Sequence, residues 1–284
     1  MATFYNQATL SFGGNVVNSN TTEAELLSGL ELTKTAVTAS YSAGGSVVYT
    51  VTLRNMGGAP YTGLTLTDDL GAYTVGETTV VPLDYVDGSV LYFVNGVPTT
   101  APTVTAVGNL EFSGIDVPAG GTVTLIYQAD ANGFAPLAAG STITNTASTN
   151  AGAGVGVLTD TATVTVDEAP ELTIAKAVCP AIINDNDTLT YTIIVQNLGN
   201  TPIIATDGVI ISDTFNPVLT GITVDLNGTE LVAGTGYTYD AATGAFTTLD
   251  GVVTVPAATY TQDPTTGAIT TTPGVTVLTI SGTV

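Results

Sequence analysis

The chain has 284 residues, with 24 acidic side chains against three basic ones, no histidine, one cysteine and a formal charge of −21. That charge excludes nucleic acid and anionic membrane surfaces as partners, because nothing could neutralise phosphates. The lack of His and of a second Cys removes the usual zinc and cysteine-protease constellations.

The length predicts about two domains, each large enough to bury a core without staples. Thr, Val, Gly, Ala and Leu dominate, turns are rich in Gly, Asn, Asp and Pro, and apolar residues alternate rather than recur at helical spacing. This is an all-β composition. No apolar run is long enough to cross a bilayer, so no membrane insertion is expected. Met1–Gly14 lacks the basic start and apolar centre of a secretion signal, which leaves the export route unread. Cys179 cannot form an intrachain disulfide and, beside Pro180, is expected to be a small buried residue. No metal site and no cofactor are expected.

In chain order, residues 1–14 (MATFYNQATLSFGG) read as a β-strand without a domain of its own, and residues 15–29 as a polar, exposed linker able to act as a hinge. Residues 30–168 form a first β-domain, with strands expected at Ser46–Arg54, Gly63–Leu70, Thr122–Ala129 and Ser141–Thr149. Residues 169–284 form a second. The two are versions of one pattern: LELTKTAV recurs as ELTIAKAV, VVYTVTLRNMGG as LTYTIIVQNLGN, and LTLTDDL as VIISDTF. Lys34 matches Lys176, Tyr49 matches Tyr191, and Asn55 matches Asn197. Strands of this length and spacing favour an immunoglobulin-like sandwich, with a barrel or jelly roll as the alternative.

Domain 1 continues past PAGGTVTLIYQA to one more strand, STITNTASTNAGAG, whereas the sequence of domain 2 ends at the corresponding point, PGVTVLTISGTV. The missing strand has a counterpart at the other end of the chain. Tyr5-Asn6-Gln7-Ala8-Thr9 matches Thr144-Asn145-Thr146-Ala147-Ser148, and NSNTTEAELL precedes LELTK as LTDTATVTVDEAP precedes LTIAK. Met1–Gly29 thus stands to domain 1 as Ser141–Ala169 stands to domain 2. The expectation is that residues 1–14 are a donor strand, with Phe4, Asn6, Ala8 and Leu10 on its inward face, which completes domain 2 of a neighbouring copy. Such a head-to-tail contact builds a homopolymer. The bland alternative is an edge strand or a tail.

Strand parity places Lys34 on one face with Leu30, Leu32 and Ala36, and Lys176 with Leu172, Ile174 and Val178. The same test turns Asp68, Asp213, Asn145 and Asn6 inward. Buried ammonium and carboxylate groups need partners, so each domain is expected to bury a Lys–Asp pair beside an Asn amide.

These motifs resemble the conserved-repeat family of prokaryotic surface proteins catalogued as domain of unknown function eleven, on the Lys of the first strand, YTVTLRN with its Gly turn, TDDL or SDTF, and the late TNTA. The resemblance implies an extracellular or cell-surface Ig-like module, often in tandem, that is not an enzyme acting on external substrates. The Lys, Asp and Asn set also resembles that of collagen-adhesin type domains, which implies spontaneous isopeptide bonds. Lys34 would join Asn145 with Asp68 assisting, and Lys176 would join Asn6 of a neighbouring subunit with Asp213 assisting. Desolvation would favour a neutral amine and a protonated Asp. Asp69 beside Asp68 leaves the assisting acid of domain 1 open between the two, and a simple ion pair is the alternative to the bond.

Among weaker signals, Asp185-Asn186-Asp187 resembles part of a calcium loop but reads better as a turn, and Arg54 is expected in a surface ion pair. Asp240–Thr272 reads as hairpins projecting from domain 2, where an unknown surface ligand could bind. The expected function is therefore the subunit of a pilus-like fibre on a cell or spore surface, with a surface adhesin or surface-layer module as the alternative.

Overall fold

The computed structural model describes residues 2–26, 29–151, 156–184 and 186–284. Apart from one three-residue 3-10 turn, Ala205–Asp207, its regular elements are β-strands. The chain divides into two compact units. The first comprises 1–136, 142–165 and 264–267; the second comprises 137–141, 166–263 and 268–284.

The first unit begins with a hairpin. Strand β1 (Ala2–Asn6) pairs with β4 (Thr22–Leu26), and β2 (Thr9–Phe12) pairs with β3 (Asn15–Asn18). Gly13 and Gly14 turn it at φ +55° and +86°, and a tight two-residue turn with both central residues at positive φ is the geometry that glycine accepts without strain. The expected linker is thus largely strand, because residues 15–26 return alongside residues 2–12. The expected free donor strand is the outgoing arm of this hairpin. Its described side chains lie in solvent, Phe4 at 56%, Leu10 at 67% and Phe12 at 80% exposure.

The sandwich of the first unit follows with β5 (Leu30–Ala36), β6 (Ser40–Tyr41), β7 (Ser46–Asn55), β8 (Tyr61–Asp68), β9 (Tyr73–Val75), β10 (Thr78–Val80) and β11 (Leu83–Tyr85). It continues with β12 (Leu91–Val94), β13 (Val97–Thr99), β14 (Thr103–Val107), β15 (Asn109–Val117), β16 (Thr122–Ala131), β17 (Thr142–Asn150) and β18 (Val157–Val166). One sheet runs β13-β12-β16-β7-β5, with β11 also on β16; the other runs β14-β15-β8-β17-β18-β6. The inner faces alternate strictly: Val47, Tyr49, Val51 and Leu53 of β7 are fully buried, as are Val123, Leu125 and Ala129 of β16. Asn55 closes the end of β7, where its amide donates to the Ala59 and Pro118 carbonyls and accepts from Gly57 N–H.

The second unit contains β19 (Leu172–Cys179), β20 (Thr188–Asn197), β21 (Ser212–Thr214), β22 (Thr220–Leu226) and β23 (Thr229–Glu230). After these come β24 (Tyr237–Asp240), β25 (Ala245–Thr248), β26 (Thr259–Gln262), β27 (Ile269–Thr272) and β28 (Gly274–Thr283). Its main sheet runs β19-β20-β28-β22-β23, faced by a small sheet β21-β25-β24. Both units are all-β sandwiches of the immunoglobulin-like kind. Asn197 repeats the turn lock of Asn55, its amide accepting from Glu171 and Gly199 N–H and donating to the Thr201 carbonyl.

Several side chains sit elsewhere than expected. Cys179 is exposed, because it shares the outward parity of Thr173, Ala175 and Ala177. Asp240–Thr272 is not wholly projecting: it contains β25, and Phe246, Val253 and Val255 are core residues. Arg54 lies across from Glu31 on β5 yet forms no ion pair among the described residues. Asp185 of the supposed calcium fragment lies outside the described residues, and Asp187 accepts from Asn184 N–H as a turn residue does.

Candidate functional site

The centre of the first unit is a dry polar cluster held by four strands. Parity on β5, β8 and β17 turns Lys34, Asp68 and Asn145 inward, where they are 3%, 0% and 0% exposed. Lys34 Nζ forms an ion pair with Asp68 Oδ2. Its second partner is one that sequence reasoning missed: Lys34 donates to the Tyr127 hydroxyl at 2.6 Å, and that hydroxyl donates to Asp68 Oδ2 at 2.5 Å. The Asn145 amide donates to the same hydroxyl at 3.4 Å. Tyr127 therefore stands between the amine, the acid and the amide. The only signal for it was inward parity on β16, which an ordinary core aromatic shares.

The remaining contacts define the electrostatics. Asp68 Oδ1 accepts from Leu70 N–H at 3.0 Å. Asp69, the competing acid, is occupied in a turn, where it accepts from Gly71 and Thr146 N–H at 2.9 and 2.8 Å. The Lys34 ammonium lies 4.4 Å from the centre of the Tyr49 ring and 5.2 Å from that of Tyr127. Burial pushes the Lys34 amine below its ordinary value, against the opposing pull of the Asp68 charge. Burial likewise pushes the Tyr127 hydroxyl well up, with the Asp68 charge second, so it keeps its proton. Asn145 Oδ1 is buried without a hydrogen-bond partner. Orphaned buried carbonyl oxygens are uncommon, and this one is the atom on which negative charge would grow if an amine attacked the amide. The cluster thus combines an amine biased toward its nucleophilic form, an acid to handle protons and an amide in a shared dry pocket.

The second unit repeats half of this cluster. Lys176 pairs with Asp213, and its ammonium lies 4.3 Å from the Tyr191 ring centre and 5.3 Å from that of Phe215. Two things differ. Tyr127 is opposite Tyr49 in the β16–β7 ladder, but Ile280 is opposite Tyr191 in the β28–β20 ladder, so no hydroxyl stands at this point. The cluster is also open: the Lys176 and Asp213 side chains are 39% and 16% exposed where Lys34 and Asp68 are 0%.

The opening has a structural cause. In the first unit β8 is paired on both edges, by β15 and by β17. In the second unit β21 pairs with β25 and has no other partner among the described residues. The inward face of β19 is left in solvent as a result, with Leu172 at 41%, Ile174 at 65% and Val178 at 41% exposure. Their counterparts Leu30 and Leu32 are at 1% and 8%. Asn6, Phe4, Ala8 and Leu10 lie on the exposed hairpin, with Asn6 opposite Thr22 and Phe4 opposite Ala24.

Among the described residues no three His, Cys, Asp or Glu side chains converge as a metal site would require, and no helix is long and apolar enough to cross a membrane. No family model matches the chain, nor does any curated protein sequence. Among solved structures it is similar to the pilus backbone of Streptococcus pneumoniae, at 15% identity and TM-score 0.34, over 86% of this chain and 55% of that one. It is similar to the major pilin subunit of Bacillus cereus at 11% identity and TM-score 0.37, over 94% of this chain and 70% of that one. It is also similar to a 35 kDa C-terminal fragment of the major pilin of Streptococcus agalactiae, at 10% identity and TM-score 0.36, over 86% and 91% of the two chains. The chain spans about half the length of the first of these. At such identities and TM-scores the likenesses carry nothing about the partners or chemistry of this chain.

Proposed function

We propose that the chain is the repeating subunit of an extracellular, pilus-like fibre, in which the N-terminal strand of one copy completes domain 2 of the next. The observation that carries this reading is the uncovered inward face of β19 beside the unpaired edge of β21, at the place that β17 fills in the first unit. An exposed strand edge over a strip of apolar side chains binds an extended, alternating segment. Residues 2–12 supply one whose sequence follows that of β17.

The match implies a register for the donated strand. In the first unit Ala147 lies opposite Asp68 and Thr149 opposite Leu66. With Asn6 in the place of Asn145 and Asp213 in that of Asp68, Ala8 would lie opposite Asp213 and Leu10 opposite Ile211. Asn6 would then face Lys176 as Asn145 faces the Lys34 cluster.

Both sites would react in the same way. The neutral lysine Nζ attacks Cγ of the Asn, the new C–N bond replaces the bond to the amide nitrogen, and that nitrogen leaves as ammonia with a proton from the amine. No electrons are exchanged with another reagent. The carboxyl of Asp68 or Asp213 carries the protons. The products are a Lys34–Asn145 bond within the chain and a Lys176–Asn6 bond between copies.

Electron microscopy and heated denaturing gels of the purified full-length chain test the reading. Filaments and a ladder of multimers are expected, and removing residues 1–11 should abolish both. Lys176→Ala should keep filaments while losing the ladder. A full-length chain that stays monomeric, before and after the deletion, refutes the fibre. Such a monomer is what an adhesin or surface-layer module would give.

A further inference from the structure

We infer that the donated element is not a single strand but the two-stranded hairpin Ala2–Leu26, whose return strand β4 takes in domain 2 of the neighbouring copy the place that β18 takes in domain 1. This rests on the strand-donation reading of the site. It adds the second strand, its register and its buried face.

In the first unit β17 does not enter the sandwich alone. β18 continues the sheet beyond it and is followed by β6. Ala162 and Val164 of β18 are buried at 7% and 0% exposure. The Asp160 carboxylate accepts from the backbone N–H of Lys34 at 2.6 Å, which ties β18 to the lysine strand itself. A lone donor strand would leave all of this unfilled in the second unit. There Ile182, at the position equivalent to Ser40 of β6, is 91% exposed.

The hairpin already carries the required register. Asn145 is opposite Ala162 and Ile143 opposite Val164 in the β17–β18 ladder. Asn6 is opposite Thr22 and Phe4 opposite Ala24 in the β1–β4 ladder. Superposing Asn6 on Asn145 therefore puts Thr22 on Ala162 and Ala24 on Val164, and Glu23 on Thr163 and Glu25 on Thr165. Thr163 and Thr165 are exposed. Both acids of β4 thus fall on the solvent parity, while small uncharged residues fall on the buried one. This is the sorting that a strand with one buried face requires. Beyond these pairs the ladder slips by one residue at Ala8, which accepts from Ser19 N–H and donates its own N–H to the Ser19 hydroxyl. The slip leaves the β1–β4 pairs in the register of β17 and β18. Straightening it would bring Asn20 to the position of Asp160, with a side-chain oxygen able to accept from Lys176 N–H.

The test compares polymer yield, by sedimentation and by covalent ladder, for full-length variants of the exposed hairpin. Ala24→Asp places a charge where Val164 is buried, and Phe4→Asp places one where Ile143 is. Each should reduce polymer more than tenfold. Glu23→Ala, on the opposite face of the same strand, should polymerise as the parent does. Ala24→Val installs the residue of domain 1 and should polymerise at least as well, which separates burial from loss of hairpin pairing. If Ala24→Asp polymerises normally while Phe4→Asp does not, or if Ala24→Val abolishes polymer, the two-stranded unit is overturned and single-strand donation stands. If Phe4→Asp polymerises normally, donation itself is overturned.

Discussion

Replacing Asn145 by leucine separates a covalent cluster from an ion pair by magnitude alone. Leucine has nearly the shape of asparagine, so the pocket stays filled. If Lys34 and Asp68 only pair, the substitution removes one long hydrogen bond, 3.4 Å to Tyr127, and one buried oxygen that has no partner. Exchanging a half-satisfied polar group for an apolar one of the same shape costs little, roughly 1 kcal/mol or less. If Lys34 is bonded to Asn145, the same change opens a loop of 145 − 34 = 111 residues. The chain entropy of such a closure is about 4–5 kcal/mol. At about 2–4 °C per kcal/mol for a unit of this size, the melting temperature should fall by roughly 10–20 °C. Thermal and denaturant unfolding of the full chain, paired with intact-mass measurement, reads the difference. The parent should weigh one ammonia less than its sequence for this bond, and the variant should not. A variant within about 1 kcal/mol of a parent of unmodified mass refutes the bond in domain 1.

Three further outcomes follow from the same geometry. Lys34→Ala leaves the fully buried Asp68 without its cation and should cost about 3–5 kcal/mol or more, whereas Lys176→Ala in monomeric protein should cost at most about 1 kcal/mol, because that pair is open to water; equal effects in denaturant titrations would contradict the contrast in burial. Tyr127→Phe keeps the ring but removes the hydroxyl shared by Lys34, Asp68 and Asn145, and should slow ammonia loss in a mass-spectrometric time course while leaving the polymer ladder of the second site intact. The third concerns pH. Burial, with Tyr73 second, pushes the Tyr41 hydroxyl up to about 12, so above the unfolded value of 10.0 the unfolded chain releases a proton that the folded chain keeps. The Tyr41 contribution should hold below pH 10 and fall by roughly 2–3 kcal/mol between pH 10 and 12, while Lys34, lowered by burial, acts in the opposite direction as pH rises toward 10.5. Tyr49 and Tyr127, also raised by burial, act in the same direction as Tyr41, and Tyr41→Phe should flatten part of the decline.

How much of this was legible in the sequence depended on whether a residue's environment was set by its own strand. Lys34, Asp68 and Asn145 were found because strand parity is rigid: once a strand's apolar residues are seen, every second position is committed to the same side. Tyr127 obeyed the same parity but announced nothing more, since a buried aromatic needs no explanation and the use of its hydroxyl is set by three other strands. Residues 15–26 read as a linker in the sequence because NVVN has no buried face to impose alternation. Their strand character comes from pairing with residues 2–12. The 240–272 segment failed for the opposite reason. Phe246, Val253 and Val255 are isolated apolar residues among turn formers, and only the sheet they join makes them core.

The two lysines also differ in when they can react. Lys34 is enclosed by its own chain, Tyr127 and Asp68 hold its nitrogen, and the Asn145 amide donates to the same Tyr127 hydroxyl. Lys176 has the acid and the aromatic rings but lacks both the hydroxyl and the cover, and water reaches its side chain. A solvated ammonium paired with a carboxylate is a poor nucleophile, and the attacking amine must shed both proton and water before it can reach a carbonyl carbon. On the strand-donation reading, the element that brings the Asn6 amide also excludes that water, so covalent closure of domain 2 waits for assembly and cannot precede it. Monomers isolated before polymerisation should therefore have lost one ammonia, and subunits within a polymer two per chain on average, apart from the end that no donor fills. Monomers that have already lost two would show that Lys176 reacts within its own chain. The hairpin would then be a clasp for its own domain 2, and polymer growth would need a different joint.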